Sequence, residues 1–271
     1  MITNAHEQNH HGKPWCDGDH SFQDGVVASP DTFVLGHTIA DWTESFWRST
    51  VQAPAGAGPL DSASPQWTHQ GKMTFIAGIW DSRTGGVSDA TIQAPAQSPI
   101  LFPMINAFDT EGPGIETIAN FVKDHRGSYA DEARYVTDLT QNSIYDAYAR
   151  LIKDPGTDHA QTIFDVHLQG SAASAAGVKS DIFALGAPKP GSWLQGFFGG
   201  EPGPYLPLDH RIKDLPFTRS TGDWVEINGL KPGTYSLEFG GSGHAVVDPM
   251  TNVTVFPDGW GPAMTDKLIV S

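Results

Sequence analysis

Short apolar runs at the two-residue spacing of half-buried β-strands recur along most of the chain. The clearest runs are residues 73–80, 90–95, 100–108, 162–170, 223–241 and 250–257. Turn-forming residues separate them, and the chain contains 30 glycine and 20 proline residues. Pro103 interrupts the third run, which predicts a sheet edge or a β-bulge there, because proline has no N–H for the ladder. The pattern therefore favours a β-rich fold.

Two stretches show the spacing of helices instead. In the first, apolar side chains fall on one helical face, with Thr38 placed to cap the helix and Pro54 beyond its end. The apolar residues of this face are Ile39, Trp42, Phe46 and Trp47. The second stretch is residues 115–153, where SIYDAYARLIKD also matches one helical face. We therefore predict a mainly β protein, an antiparallel β-sandwich or jelly-roll-like domain with helices inserted at about 38–52 and 115–153.

The polar, His-rich N-terminus differs from the rest of the chain. We therefore divide the chain into an arm at residues 1–30 and a single β-rich domain, with its helical insertion, at 31–271. The arm shows no apolar run of the kind that marks a signal peptide. Apolar segments elsewhere are too short to predict a membrane span. Cys16 is the single cysteine of the sequence, so an internal disulfide is excluded.

Charge is strongly unbalanced, with Lys+Arg 16 against Asp+Glu 31 and a formal net charge of -15. Such a surface repels phosphate backbones, so a nucleic-acid partner is not expected. It suits cation binding or solubility in a salty medium.

The stretch HEQNH matches the H-E-x-x-H zinc-hydrolase pattern. On a helix, His6 and His10 would both reach one Zn²⁺, and Glu7 would activate its water. The surroundings are unlike those of a zinc protease, because apolar flanks are missing and Gly12 and Pro14 follow at once. The alternatives are a solvated His-rich arm and an arm that packs on a neighbouring subunit in a homo-oligomer.

A second candidate lies in NAFDTEGPG, where Asn106, Asp109 and Glu111 offer oxygen ligands next to a Gly-Pro-Gly turn. Calcium prefers carboxylate and amide oxygens, so calcium is expected before zinc. The alternative is an acidic turn whose charges sit near the start of the next helix.

Aromatic residues in a Gly/Pro-rich loop form the third candidate, because large apolar groups in such a loop need a cover. They are Trp193, Phe197, Phe198 and Tyr205. They would line a ligand cleft, stack on sugar rings, or bury in a subunit contact. Among the scattered histidines, His167 stands out as a metal ligand or base, since it shares a strand face with Asp165.

Four motifs in order resemble a poorly characterised family of bacterial, mostly exported proteins. They are GHTIADWTESFW (36–47), QGKMTFIAG (70–78), ILFPMIN (100–106) and LKPGTYSLEFGG (230–241), the last predicted to be a hairpin. The resemblance covers residues 33–255 and implies a β-rich domain outside the cytoplasm, in some members joined to calcium-binding repeats. It implies no particular reaction.

Together these features predict an acidic, cation-stabilised binding or structural module, extracellular or periplasmic, with an aromatic loop for a small molecule, glycan or protein. One alternative is a zinc-dependent hydrolase that uses HEQNH; another is an assembly subunit with a packing arm. No nucleotide-binding motif is present in the sequence.

Overall fold

Strands dominate the residues that the computed structural model describes, which are 26–54, 67–78, 90–192, 194 and 215–271. In chain order the strands are β1 (Val26–Val27), β2 (Phe33–Val34), β3 (His37–Thr38), β4 (Trp67–Gln70), β5 (Met73–Ile76), β6 (Thr91–Ala94), β7 (Ile100–Glu111), β8 (Ile144–Lys153), β9 (Gln161–Gln169), β10 (Val178–Lys179), β11 (Phe217–Ile227), β12 (Gly233–Gly243), β13 (Val246–Val247), β14 (Thr254–Phe256) and β15 (Ala263–Val270). The helices are α1 (Ile39–Val51), α2 (Tyr129–Ser143) and α3 (Ser171–Ala175). None of these described helices has the length and apolar character to cross a membrane.

Two large sheets organise these strands. The first sheet has the order β1-β11-β7-β5-β4, with β10 also paired to β11, and the second has the order β6-β15-β12-β8-β9. Most neighbours are antiparallel, but β5 runs parallel to β7 and β6 runs parallel to β15. The mainly β prediction is confirmed, with mixed rather than purely antiparallel sheets.

The two sheets pack face to face as a sandwich. Inward-facing side chains of both sheets share one apolar core, in which the rings of Phe102 and Phe239 lie 5.1 Å apart. The approach is close enough to require glycine at Gly241, since a Cβ there would lie 2.9 Å from the Cβ of Ile105. Alternation along each strand thus buries one face and leaves the other to a helix or to solvent.

Helix α1 covers the outer face of the first sheet and confirms the helix predicted at 38–52. The ring centroids of Trp47 and Phe108 lie 4.4 Å apart, and those of Phe46 and Trp224 lie 5.1 Å apart. Thr38 caps the helix through a reciprocal capping box with Asp41. The aromatic stripe therefore packs in a second apolar core and does not form a ligand surface.

Thr38→Ala should lower the free energy of unfolding by about 1 kcal/mol, because the amide of Asp41 loses its side-chain acceptor. Urea denaturation measures this loss. Thr38→Ser keeps the hydroxyl and should retain most of the stability. An equal loss in both variants would show that the capping bond is not the cause.

The predicted helical region 115–153 is only partly helical. Helix α2 occupies its centre, whereas the SIYDAYARLIKD segment that matched a helical face is strand β8. The register with β12 skips Tyr145, which makes a bulge and turns both Ile144 and Ala147 inward. This bulge produces the three-residue spacing of a helix within a strand, and that is why the periodicity was misleading.

The predicted hairpin at 230–241 is also wrong in its pairing. Strand β11 pairs with β7 in the first sheet, whereas β12 pairs with β8 and β15 in the second. The K-P-G turn therefore carries the chain from one sheet to the other. Alternation predicts where strands lie, but it does not specify their partners. Of the two alternatives predicted near Pro103, a sheet edge or a bulge, the structure shows the bulge, because β7 is an inner strand and the register skips Met104.

Candidate functional site

A buried polar strip lies beneath α2 on the inner face of the first sheet, beside the apolar area covered by the second sheet. Strand alternation places Asp109 and Glu111 of β7 on this face, and it places their cross-strand partners Arg219 and Phe217 of β11 there as well. Further along β11, Thr221 and Asp223 continue the strip and bond to α2. Helix α2 therefore covers carboxyl, hydroxyl and guanidinium groups.

Three carboxyl groups lie near one another in this strip, and we call Asp109, Glu111 and Glu132 the carboxyl cluster. The exposed fraction is 8% for Asp109 and 0% for the other two residues. Strand β7 supplies the first two side chains. Helix α2 supplies the third, since Glu132 is the fourth residue of the helix and lies on its buried face. Burial of three acidic groups is costly unless each charge is neutralised.

The turn that follows β7 supplies the hydrogen-bond donors of the cluster. The Thr117 hydroxyl donates to Asp109 Oδ1 at 2.7 Å, and the Thr117 amide donates to both Glu111 oxygens at 3.2 and 3.1 Å. The Ile118 amide donates to Glu132 Oε1 at 2.8 Å. Two buried oxygens, Asp109 Oδ2 and Glu132 Oε2, receive no donor from the described residues.

Protonation explains how Asp109 and Glu111 tolerate each other. Burial raises the pKa of Asp109 to about 6 and the pKa of Glu111 well above its usual value, and the Asp109 charge raises the latter further. When Glu111 holds its proton, it donates a hydrogen bond to Asp109, which also accepts from the Thr117 hydroxyl. The pair therefore behaves as a coupled dyad that shares protons.

Glu132 also holds a proton readily, because burial raises its pKa to about 8. The charges of Asp109 and Glu116 add to this rise, and Arg126 opposes it. At neutral pH the Glu132 carboxyl is therefore mostly neutral in the folded protein, whereas in an unfolded chain it would be ionised.

The nearby cations are committed to other carboxylates. Arg219 stands opposite Asp109 in the register but donates to Asp138 at 3.1 Å. Arg126 forms its ion pair with Asp248. Among the described residues, no Lys or Arg forms an ion pair with the cluster, so protons or a bound cation must balance its charge.

Gln141 connects a fourth buried acid to the strip. Its amide nitrogen donates to Asp223 Oδ1 at 3.0 Å, and its amide oxygen accepts from the Thr221 hydroxyl at 2.6 Å. Burial raises the pKa of Asp223 to about 7. The strip thus holds two separate groups that take up protons near neutral pH.

The sequence-predicted metal ligands separate in the structure. Asp109 and Glu111 lie together on the inner face, whereas Asn106 shares the outer face with Phe108, under α1. They lie on a buried strand and not in an open loop. In the described part of the chain, no three His, Cys, Asp or Glu side chains already converge as a metal site.

The other predicted site residues fall outside the described ranges. These are His6, Glu7 and His10 of the HEQNH motif, and Trp193, Phe197, Phe198 and Tyr205 of the aromatic loop. His167 is described, and its ring nitrogen lies 2.6 Å from Asp146 on the neighbouring strand, while Asp165 pairs with Arg150.

Glu132 and Asp223 were missed, although both carry a signal in the sequence. Glu132 precedes Val136 and Thr140 at four-residue intervals, so it occupies an inward position of α2. Asp223 is in phase with Val225 and Ile227 along β11. An acidic residue in phase with buried positions is the pattern that identifies a buried carboxyl group.

Comparison of the chain with protein-family models, curated proteins and solved structures finds no match. The geometry of the described residues therefore carries the functional argument.

Proposed function

We propose that this protein is an acidic binding or structural module that works outside the cytoplasm and is stabilised by a divalent cation at the carboxyl cluster. The observation that carries the proposal is the burial of Asp109, Glu111 and Glu132 with no paired Lys or Arg among the described residues. The net charge of -15 adds a surface field that attracts cations.

Calcium fits these ligands better than zinc. The donors are carboxyl oxygens, which a hard cation prefers, and calcium accepts the irregular geometry that three side chains on a strand and a helix provide. Glu132 Oε2 is available as a ligand because no described donor occupies it, and Asp109 becomes available when Glu111 releases the proton that it shares with Asp109. Side-chain rotations would have to bring the carboxylates to a common point, and binding would release their protons.

Calcium should therefore raise the melting temperature more at pH 8 than at pH 5, because protons compete for the same oxygens at the lower pH. At pH 8 a shift of several degrees is expected at millimolar calcium, as about 1 kcal/mol corresponds to roughly 2–4 °C in a chain of this size. Differential scanning calorimetry of protein first stripped with a chelator measures the shift.

Glu132→Gln is the test variant, since it removes one ligand charge but keeps the shape of the side chain. Its calcium shift at pH 8 should be much smaller than that of the native protein. Asp158→Asn makes the same charge change at an exposed position and serves as control. The same calcium shift in all three proteins, or no shift in any, would reject the cation site.

A further inference from the structure

The outer face of the second sheet carries a strip of aromatic and polar side chains that are partly or largely exposed. The bulge in β8 produces it, because skipping Tyr145 in the register leaves both Tyr145 and Asp146 on the outer side. Tyr148 follows on the same face, two residues after Asp146. The two tyrosines are therefore about 10 Å apart along one strand.

Each tyrosine is held in place by its surroundings. The Tyr148 side chain reaches across β12 and ends over Gly240, where a Cβ would lie 2.7 Å from its hydroxyl oxygen. The ring of Tyr145 packs against His244, with centroids 4.3 Å apart and an angle of 30° between planes. Tyr145 is 36% exposed. The absence of a side chain at Gly240 lets an aromatic ring lie across the sheet instead of standing away from it.

Hydrogen-bonding groups surround these rings. The Asp146 carboxylate lies 2.6 Å from His167, and the amide of Gln169 lies 3.4 Å from the same ring nitrogen. His244 lies 3.5 Å from Asp258. The side chains of His167 and His244 are 50% and 69% exposed. These groups can donate and accept, and solvent reaches them.

We propose that this strip binds a neutral, extended polysaccharide chain, a proposal that rests on the protein being a binding module. Tyrosine rings offer apolar faces to the C–H side of sugar rings, and the neighbouring carboxylates, histidines and amide match sugar hydroxyls. A row of side chains along one strand suits an extended polysaccharide chain.

Charge selects a neutral polysaccharide over an acidic one, because the net charge of -15 repels uronic acids and sulfates. A protein partner fits less well. The centre of a protein–protein interface is depleted in charged residues, whereas Asp146 and His167 lie in the middle of this strip.

Affinity electrophoresis tests the proposal with the full chain in native gels that contain soluble β-glucan, xylan or galactomannan, and alginate as the acidic comparison. The native protein should be retarded by at least one neutral polysaccharide and not by alginate. Tyr148→Ala should weaken that binding by about tenfold, as expected for truncating an aromatic anchor. Phe33→Ala is the matched control, since Phe33 is 71% exposed but lies on β2, outside the strip.

Retardation that persists in Tyr148→Ala, or no retardation by any neutral polysaccharide, would overturn the proposal. An equal loss in Phe33→Ala would do the same. The melting temperature of each variant shows whether it is folded, and Tyr148→Phe gives a second variant that keeps the ring and should retain binding. Gels run with calcium and with chelator separate this proposal from the proposed cation site. If the cation site does not exist, calcium will not shift the melting temperature, but the retardation that depends on Tyr148 will remain.

Discussion

Replacing Arg126 by alanine should destabilise the protein by about 3–5 kcal/mol, the usual result of breaking a buried ion pair. The guanidinium lies 3.0 and 3.1 Å from the two Asp248 oxygens, and the exposed fractions of the side chains are 12% and 0%. These hydrogen bonds hold the pKa of Asp248 well below its usual range. Without Arg126, the ionised Asp248 carboxylate would stay buried with only the hydroxyls of Tyr135 and Thr251 and nearby amides as partners.

Packing adds to the expected loss, because the Arg126 guanidinium also lies 4.6 Å from the Phe121 ring centroid and 5.2 Å from that of Tyr135. Urea denaturation at pH 7 measures the change in the free energy of unfolding. Arg134→Ala is the matched control, since its pair with Asp131 is about half exposed and should contribute little to stability. Similar losses in the two variants would contradict the assigned role of Arg126.

The stability of the protein should fall as the pH rises from about 5 to 8. Asp109, Glu132 and Asp223 have folded-state pKa values of about 6, 8 and 7, all above their values in an unfolded chain. The folded state therefore holds more protons than the unfolded state in this range, so each rise in pH favours unfolding. These three groups contribute fully to stability at pH values below their unfolded-state pKa values. Their contribution is lost as the pH rises through their folded-state pKa values.

For a single such group the slope is about 1.4 kcal/mol per pH unit, so Glu132 alone should cost about 3 kcal/mol between pH 5 and pH 8. Asp248 acts in the opposite direction, but only below about pH 4, because its folded pKa is lowered. Stability is therefore expected to be greatest at about pH 4–5.

Urea denaturation across this pH range, with chelator present to remove calcium, measures the slope. The side chain of Glu132→Gln cannot lose a proton. The slope of its unfolding free energy against pH should therefore be smaller than that of the native protein by the contribution of about one proton. Asp158→Asn, which changes an exposed carboxylate, should keep the native slope. A Glu132→Gln slope equal to that of the native protein would show that Glu132 is not buried in its neutral form.

Much of the fold follows from the sequence, because strand alternation and helix capping are local. The helix at 38–52, the strand at 100–108 and the bulge beside Pro103 were predicted from neighbouring residues alone. The pairing of β11 and β12 was not, since partners depend on contacts between distant segments. Strand β8 was misread because a bulge changes the phase of its buried positions.

The candidate site was half predictable for the same reason. Asp109 and Glu111 were identified as acidic neighbours in the sequence, but Glu132 reaches them only because α2 folds over β7. Asn106 was grouped with them by proximity in sequence, whereas strand alternation sends it to the other face.

The pairing of β7 with β11 joins two segments that are far apart in the sequence. Glu111 pairs with Phe217, and the interval of 217 − 111 = 106 residues must be closed before the centre of the first sheet exists. Such distant pairings make folding slow, because the entropy of a large loop is lost before the contacts form. Residues up to 227 must be available before β7 has its partner beside the carboxyl cluster, and residues up to 243 before β8 has its partner beside the two tyrosines.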